Sequence, residues 1–232
     1  MATTSFTNST GITLDDYDQV TQSVVVSGID SEDFSISVTL TDYTTGSPGD
    51  LNLMLVAPDN ETAFVFWSNV GSADDISNFT VTISDDGTVR LPDVNQPLVN
   101  GLSYLPTDTV YEGAAFADFS GEITYAPFRG SGSFNSVFGD INPNGTWTLY
   151  ALDNVDFDST SLASWTLTFT SDDPPSAPVD TDGKAGGSVA EDAAIGAAVG
   201  ITASAADPDS SPLTYRLTND AGGLFAIDAQ TG

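Results

Sequence analysis

Over the first 170 residues, apolar and polar positions alternate in short runs. They read SVVVSGI from Ser23, FSISVTL from Phe34, LNLMLV from Leu51, AFVFW from Ala63, FTVTI from Phe79, WTLYAL from Trp147 and WTLTF from Trp165. A period of two, enriched in Val, Ile, Thr and aromatic residues, puts the apolar side chains on one face of a β-strand. Between the runs lie TTGSPGD, APDNE, SDDG and NPNG, whose Gly, Pro, Asn and Asp suit turns. No segment combines a helical period with caps. Many short strands separated by turns predict an all-β protein built as a β-sandwich or jelly roll.

Two stretches depart from the alternation. Residues from about 90 to 140 include LPDVNQPLVNGLSYLPTDTVYEGAAF, an irregular excursion of a length usually tied to function or mobility. After Phe169 the chain enters SDDPPSAPVDTDGKAGG, a linker-like stretch rich in Pro, Asp and Gly. Small residues and new strand patterns come next. The Ala-rich AAIGAAVGITASAA reads as strand and turn rather than helix, because of its glycines and β-branched VGIT. The division predicted is 1–171, a first β domain; 172–187, a linker; and 188–232, a piece too short for a core of its own.

Charge narrows the function. The 232 residues carry 33 acids against four bases (Arg90, Arg129, Lys184 and Arg216), a net charge of −29. Nucleic acid and anionic membrane surfaces are excluded as partners, since both need clustered Lys and Arg. So acidic a chain repels itself unless cations sit among its carboxylates, which makes Ca²⁺ the natural cofactor to test. There is no Cys and no His, so no Ser-His-Asp or Cys-His machinery and no thiolate or imidazole metal site can be assembled. The expectation is a protein that is not an enzyme. No run of apolar residues approaches a membrane span, and the start MATTSFTNST has no signal-peptide pattern. A piece of a longer secreted or cell-surface protein is expected.

Four motifs in order carry a family resemblance. DQVTQSVVVSGIDSEDFSISVTLTDY, GDLNLMLVAPDNET, YAPFRGSGSFNSVFGD and NGTWTLYALDNVDFDSTSLASWTLTF are similar to the P (Homo B) domain that follows the catalytic domain of kexin- and furin-like serine proteases. Asn60 and Thr160 stand where that pattern has glycine, and the excursion at 92–118 has no counterpart in it. The resemblance implies a jelly-roll β-sandwich of galactose-binding-like type that accompanies a protease without catalysing. From AED through GAAVG and ADPDSSPLTYRL to FAIDAQTG, the second piece resembles the opening of a cadherin-like, Ig-like repeat of large bacterial surface proteins. That resemblance implies calcium ligation by Glu191, Asp207 and Asp209, with Asp180 and Asp182 of the linker as partners.

The residues alone leave these sites open. Asp207 and Asp209 are two apart and can converge on one hard cation, or merely bond to local backbone in a turn. Asp50 starts a strand, where it is either an Asx-type turn former or a calcium ligand, and Asp74 and Asp75 form a loop pair with the same two readings. Asp153, Asp156 and Asp158 crowd the connection between the two tryptophan-led strands, read as a hairpin loop. Turn bonding is the leading role there, metal binding the next and acid–base catalysis the least, since no aromatic platform accompanies them. Trp67, Trp147 and Trp165 read as core anchors. Tyr104, Tyr111, Tyr125 and Phe128 either pack the core edge or form a sugar-stacking face. The resulting expectation is a non-catalytic calcium-binding module supporting adhesion or presentation of neighbouring domains. Its partners would be those domains and a cell-surface protein or polysaccharide. Two alternatives are an accessory P domain of a secreted serine endopeptidase and a carbohydrate-binding module.

Overall fold

The structure is a computed structural model that describes residues 1–29, 34–71, 74–92, 96–109, 116–127, 130–156, 158–171, 174–183, 186–208 and 210–232. The chain divides into two compact units, Thr3–Ser171 and Asp172–Gly232, the latter joined by Met1–Ala2. The strands up to Ser171 are β1 (Ala2–Asn8), β2 (Ile12–Leu14), β3 (Gln19–Val26), β4 (Phe34–Thr45), β5 (Leu51–Val56), β6 (Thr62–Ser68) and β7 (Ile76–Ser84). They continue as β8 (Val89–Arg90), β9 (Ser103–Leu105), β10 (Thr107–Asp108), β11 (Glu122–Tyr125), β12 (Gly145–Asp153), β13 (Thr160–Leu162) and β14 (Ser164–Ser171), with one short helix, α1 (Phe134–Phe138).

Two sheets form. Sheet A runs β1-β14-β4-β7-β9-β8, with β13 pairing both β2 and β4, and sheet B runs β10-β6-β5-β12-β3, with β11 also on β6. Alternation along β4 and β14 turns Val38, Leu40, Leu167 and Phe169 inward, where they meet Leu53, Leu55, Trp147 and Leu149 of sheet B in one core. Aromatic edges tie the layers together. Trp147 of sheet B meets Phe169 of sheet A at 5.7 Å, and Tyr43 meets Trp67 across the same gap at 5.7 Å. The fold is therefore the expected all-β sandwich. All three tryptophans are buried, as expected of core anchors.

Three local readings change. The tryptophan-led strands do not form a hairpin: β12 lies in sheet B and β14 in sheet A, so the acidic connection crosses from one layer to the other. Alternation reveals that each strand has a buried face but not that the two face each other. A helix is also present, α1, capped by Ser133 in a reciprocal box with Ser136. Asp85 accepts from the backbone N–H groups of Phe134 and Asn135 at 3.0 and 2.8 Å. Five residues are too few to display a period.

The third change concerns the excursion. Every residue of β5 is buried, so sheet B is covered on both faces. Met54, Val56, Ala63 and Val65 on its outer side pack with Phe116, Phe119, Ile123 and Tyr125 from the excursion and with Tyr150 and Leu152 of β12. Phe116 and Phe119 both meet Tyr150 edge-on, at 6.3 and 6.1 Å. The described part of the excursion thus serves as a hydrophobic cover. Each fully buried side chain of this kind contributes about 1.5–3 kcal/mol.

In the second unit β15 (Val179–Asp180) pairs antiparallel with β16 (Ala203–Ser204). Backbone bonds extend the ladder from Thr181 N–H to the Thr202 carbonyl and from Ser176 N–H to the Ala206 carbonyl, at 2.9 and 2.8 Å. Among its described residues no hydrophobic side chain is buried, and Ile195, Ile201, Leu224 and Phe225 face solvent.

Candidate metal centre at the end of the sandwich

On β12 the inward positions are Trp147, Leu149, Ala151 and Asp153, all fully buried. The fourth member of this core-facing row is a carboxylate. Register with β5 sets Asp153 opposite Leu51, directly after Asp50. The Asp153 N–H donates to the Asp18 carbonyl at 3.0 Å, and the Asn154 N–H donates to the Asp50 carbonyl at 3.3 Å. These bonds bring the loop before β3, the start of β5 and the end of β12 together. Asp158 arrives on the connection to β13. It sits against Gly46, where a Cβ would lie only 3.1 Å from the Asp158 Cβ and 3.3 Å from its Oδ2. Glycine at 46 leaves room for that carboxylate.

The polar atoms here are poorly compensated. Asp153 Oδ1 accepts from the Val155 N–H at 3.2 Å, but Asp153 Oδ2 is buried with no hydrogen-bond partner. The Tyr43 hydroxyl and Asn154 Oδ1 are buried without partners as well. A buried oxygen deprived of water and hydrogen bonds is costly. Burial pushes the Asp153 carboxyl up to about 6; the Val155 bond opposes this, and the charges of Asp50, Asp158 and Asp16 add to it. Asp50 is raised by burial against a lowering bond from Ser47, with Asp158 raising it further. Asp158 is raised by burial and then by Asp16, and also by Asp75. Burial, followed by Asp50, Asp153 and Asp158, drives the Tyr43 hydroxyl well above the usual phenol range.

Every charged neighbour acting on Asp153 is thus another carboxylate. Among the described residues no group of three His, Cys, Asp or Glu side chains is placed so that it could hold a metal ion. The chemistry of the atoms is nevertheless that of a hard-cation donor: all are oxygen, one of them is buried without a partner, and positive charge there would relieve repulsion.

The other expected site residues that are described lie in local turn bonds or at the surface. Asp180 Oδ1 accepts from the Asp182 N–H at 2.9 Å, and Asp182 Oδ2 accepts from the Thr202 hydroxyl at 2.8 Å. Asp207 Oδ1 accepts from the Ser211 N–H at 3.0 Å, and Glu191 is exposed in a turn. Asp209 lies outside the described residues. Asp74 and Asp75 are exposed, and Asp75 acts on the cluster through its charge on Asp158. Sequence reasoning named Asp50, Asp153 and Asp158 but missed Asn154, the next residue along, and also Asp16 and Tyr43, which only the fold brings near.

The aromatic residues offer no sugar platform at Tyr104, which is buried with its hydroxyl accepting from the Val99 N–H at 2.7 Å. Tyr125 is half-buried against the outer face of sheet B, while Tyr111 and Phe128 lie outside the described residues. No protein-family model matches the chain, and no curated protein matches it.

Proposed function

We propose that the chain is a non-catalytic calcium-binding module of a secreted or cell-surface polypeptide. In this reading it stiffens the end of its sandwich around Ca²⁺ and so presents neighbouring domains. The observation that carries it is the buried, unpartnered Asp153 Oδ2 among Asp50 and Asp158. Those three carboxylates would hold the cation, with Asn154 Oδ1 as a neutral ligand. Its charge would offset their mutual repulsion and clamp the three connections together.

The P-domain resemblance supports a narrower version: a jelly roll accompanying a serine peptidase. Adhesion through a cadherin-like neighbour is the companion reading of the second unit.

A cation bound only by the native state stabilises it by about 2.7 kcal/mol at a hundredfold excess over Kd. Calorimetric titration of chelator-stripped protein, paired with thermal melts, tests the proposal. Saturable Ca²⁺ binding and a higher Tm are expected, both lost in D153N. No heat and no Tm change at millimolar Ca²⁺ would sink it.

A further inference from the structure

The free edges of the two sheets differ sharply from one side of the sandwich to the other. On one side they are short or acidic. There β8 and β10 have two residues each, and β11 opens with the exposed Glu122, whose N–H bonds the Glu61 carbonyl at 2.8 Å. These are the usual devices that stop a sheet from adding foreign strands. On the other side, β1 ends sheet A and β3 ends sheet B.

The edge strands of this second side are longer and uncharged. Residues 1–14 and 19–29 contain no Asp, Glu, Lys or Arg, in a chain with 33 acids, and the acids Asp15, Asp16 and Asp18 are confined to the turn between them. Neither β1 nor β3 contains proline or charge. Residues 2–5 of β1 are exposed, and Val25 of β3 is 70% exposed. The two edges are joined to each other, since Asn8 Nδ2 donates to the Ser23 carbonyl at 2.9 Å. Between them runs an open groove lined only by uncharged residues, Ser5–Thr10 and Ser23–Val25.

We propose that this neutral wall is a self-association surface, on which a second copy of the chain pairs its β1 antiparallel to the first about a twofold axis. Sheet A then continues across the dimer, with the two β3 edges flanking the seam. Three features favour a second copy as the occupant. A strand meeting its own twofold mate is automatically antiparallel and self-complementary. The ladder Ser5–Thr168 and Thr7–Thr166, each hydroxyl pair at 2.9 Å, already orders β1 as a member of sheet A. And two bodies of net charge −29 can approach closely only where neither carries acid.

Sedimentation velocity of the full chain, from low to high micromolar concentration and at two salt levels, tests this. A reversible monomer–dimer equilibrium is expected, shifted toward dimer by added NaCl as repulsion between the acidic bodies is screened. The double variant S5K/V25K should weaken dimerisation at least tenfold with an unchanged melting curve, whereas V89K on the opposite edge should leave it intact. Should the double variant perturb folding, T4K at an exposed edge position gives the same reading. A monomer at every concentration overturns the proposal. So does growth beyond the dimer, or a dimer indifferent to lysine on β1.

Discussion

Asp153 sits where the alternation of β12 calls for a fourth apolar side chain after Trp147, Leu149 and Ala151. A proton and a cation each settle a carboxylate there, and the two alternatives give opposite pH dependences. With its carboxyl raised to about 6 from an unfolded value of 3.8, the folded state binds a proton that the unfolded state has released. Stability without calcium therefore falls as pH rises between those values, at a cost on the order of 2–3 kcal/mol from this group. Asp50 and Asp158, also raised, push in the same direction. Urea melts of the stripped protein at pH 5 and pH 7.5 should find it more stable at pH 5, and saturating Ca²⁺ should flatten or reverse the difference. D153N, isosteric and neutral, should raise stability at pH 7.5 without calcium and remove most of the pH dependence. A stripped protein more stable at pH 7.5 would show that the cluster is solvated and not a site. The sequence W-x-L-x-A-x-D already contained this inward carboxylate. Asp158, five residues on, was legible as its neighbour; Asp16 and Asp50 were not, because they reach it through strand register, which a period of two does not encode.

Elements were more readable than their arrangement. The alternating runs became β3 to β7, β12 and β14 nearly as drawn, because a one-residue slip would expose their apolar set. Which strand joins which sheet was hidden, and the supposed hairpin became a crossing between layers. The role of the excursion was hidden for a related reason. Its Phe116, Phe119 and Tyr125 show no alternation of their own, yet they cover the outer faces of β5 and β6, whose unbroken LNLMLV and AFVFW runs are signs of strands buried on both sides. If the excursion is a cover, removing its anchor should cost stability rather than ligand binding. F116A is expected to destabilise the protein by about 2–4 kcal/mol in chemical denaturation. Calcium titration of the folded variant should be unchanged. A variant that loses calcium binding while keeping its stability would reassign the excursion to the site.

At the scale of the whole molecule the two units differ in what holds them. The hydrophobic clusters draw only on residues up to Phe169, while beyond it backbone ladders and turn bonds recur without one buried apolar side chain among the described residues. Hydrogen bonds exchanged against water contribute only about 1 kcal/mol each, so a unit lacking apolar burial opens by local fluctuations well below the global unfolding energy. The linker-like composition from Ser171 onward falls where the chain passes from one unit to the other. Its energetic meaning needed the burial of individual side chains. Hydrogen exchange of the full chain should therefore separate into two classes. Amides of β5, β12 and β14 should exchange only through global unfolding, and those from residue 174 onward orders of magnitude faster. Added Ca²⁺ should slow the first class, through the Asp153 site, by the same factor as it raises the folding constant. If it instead protected amides around Asp180, Asp182 and Asp207 while leaving β12 untouched, the principal cation would belong to the second unit and its cadherin-like reading.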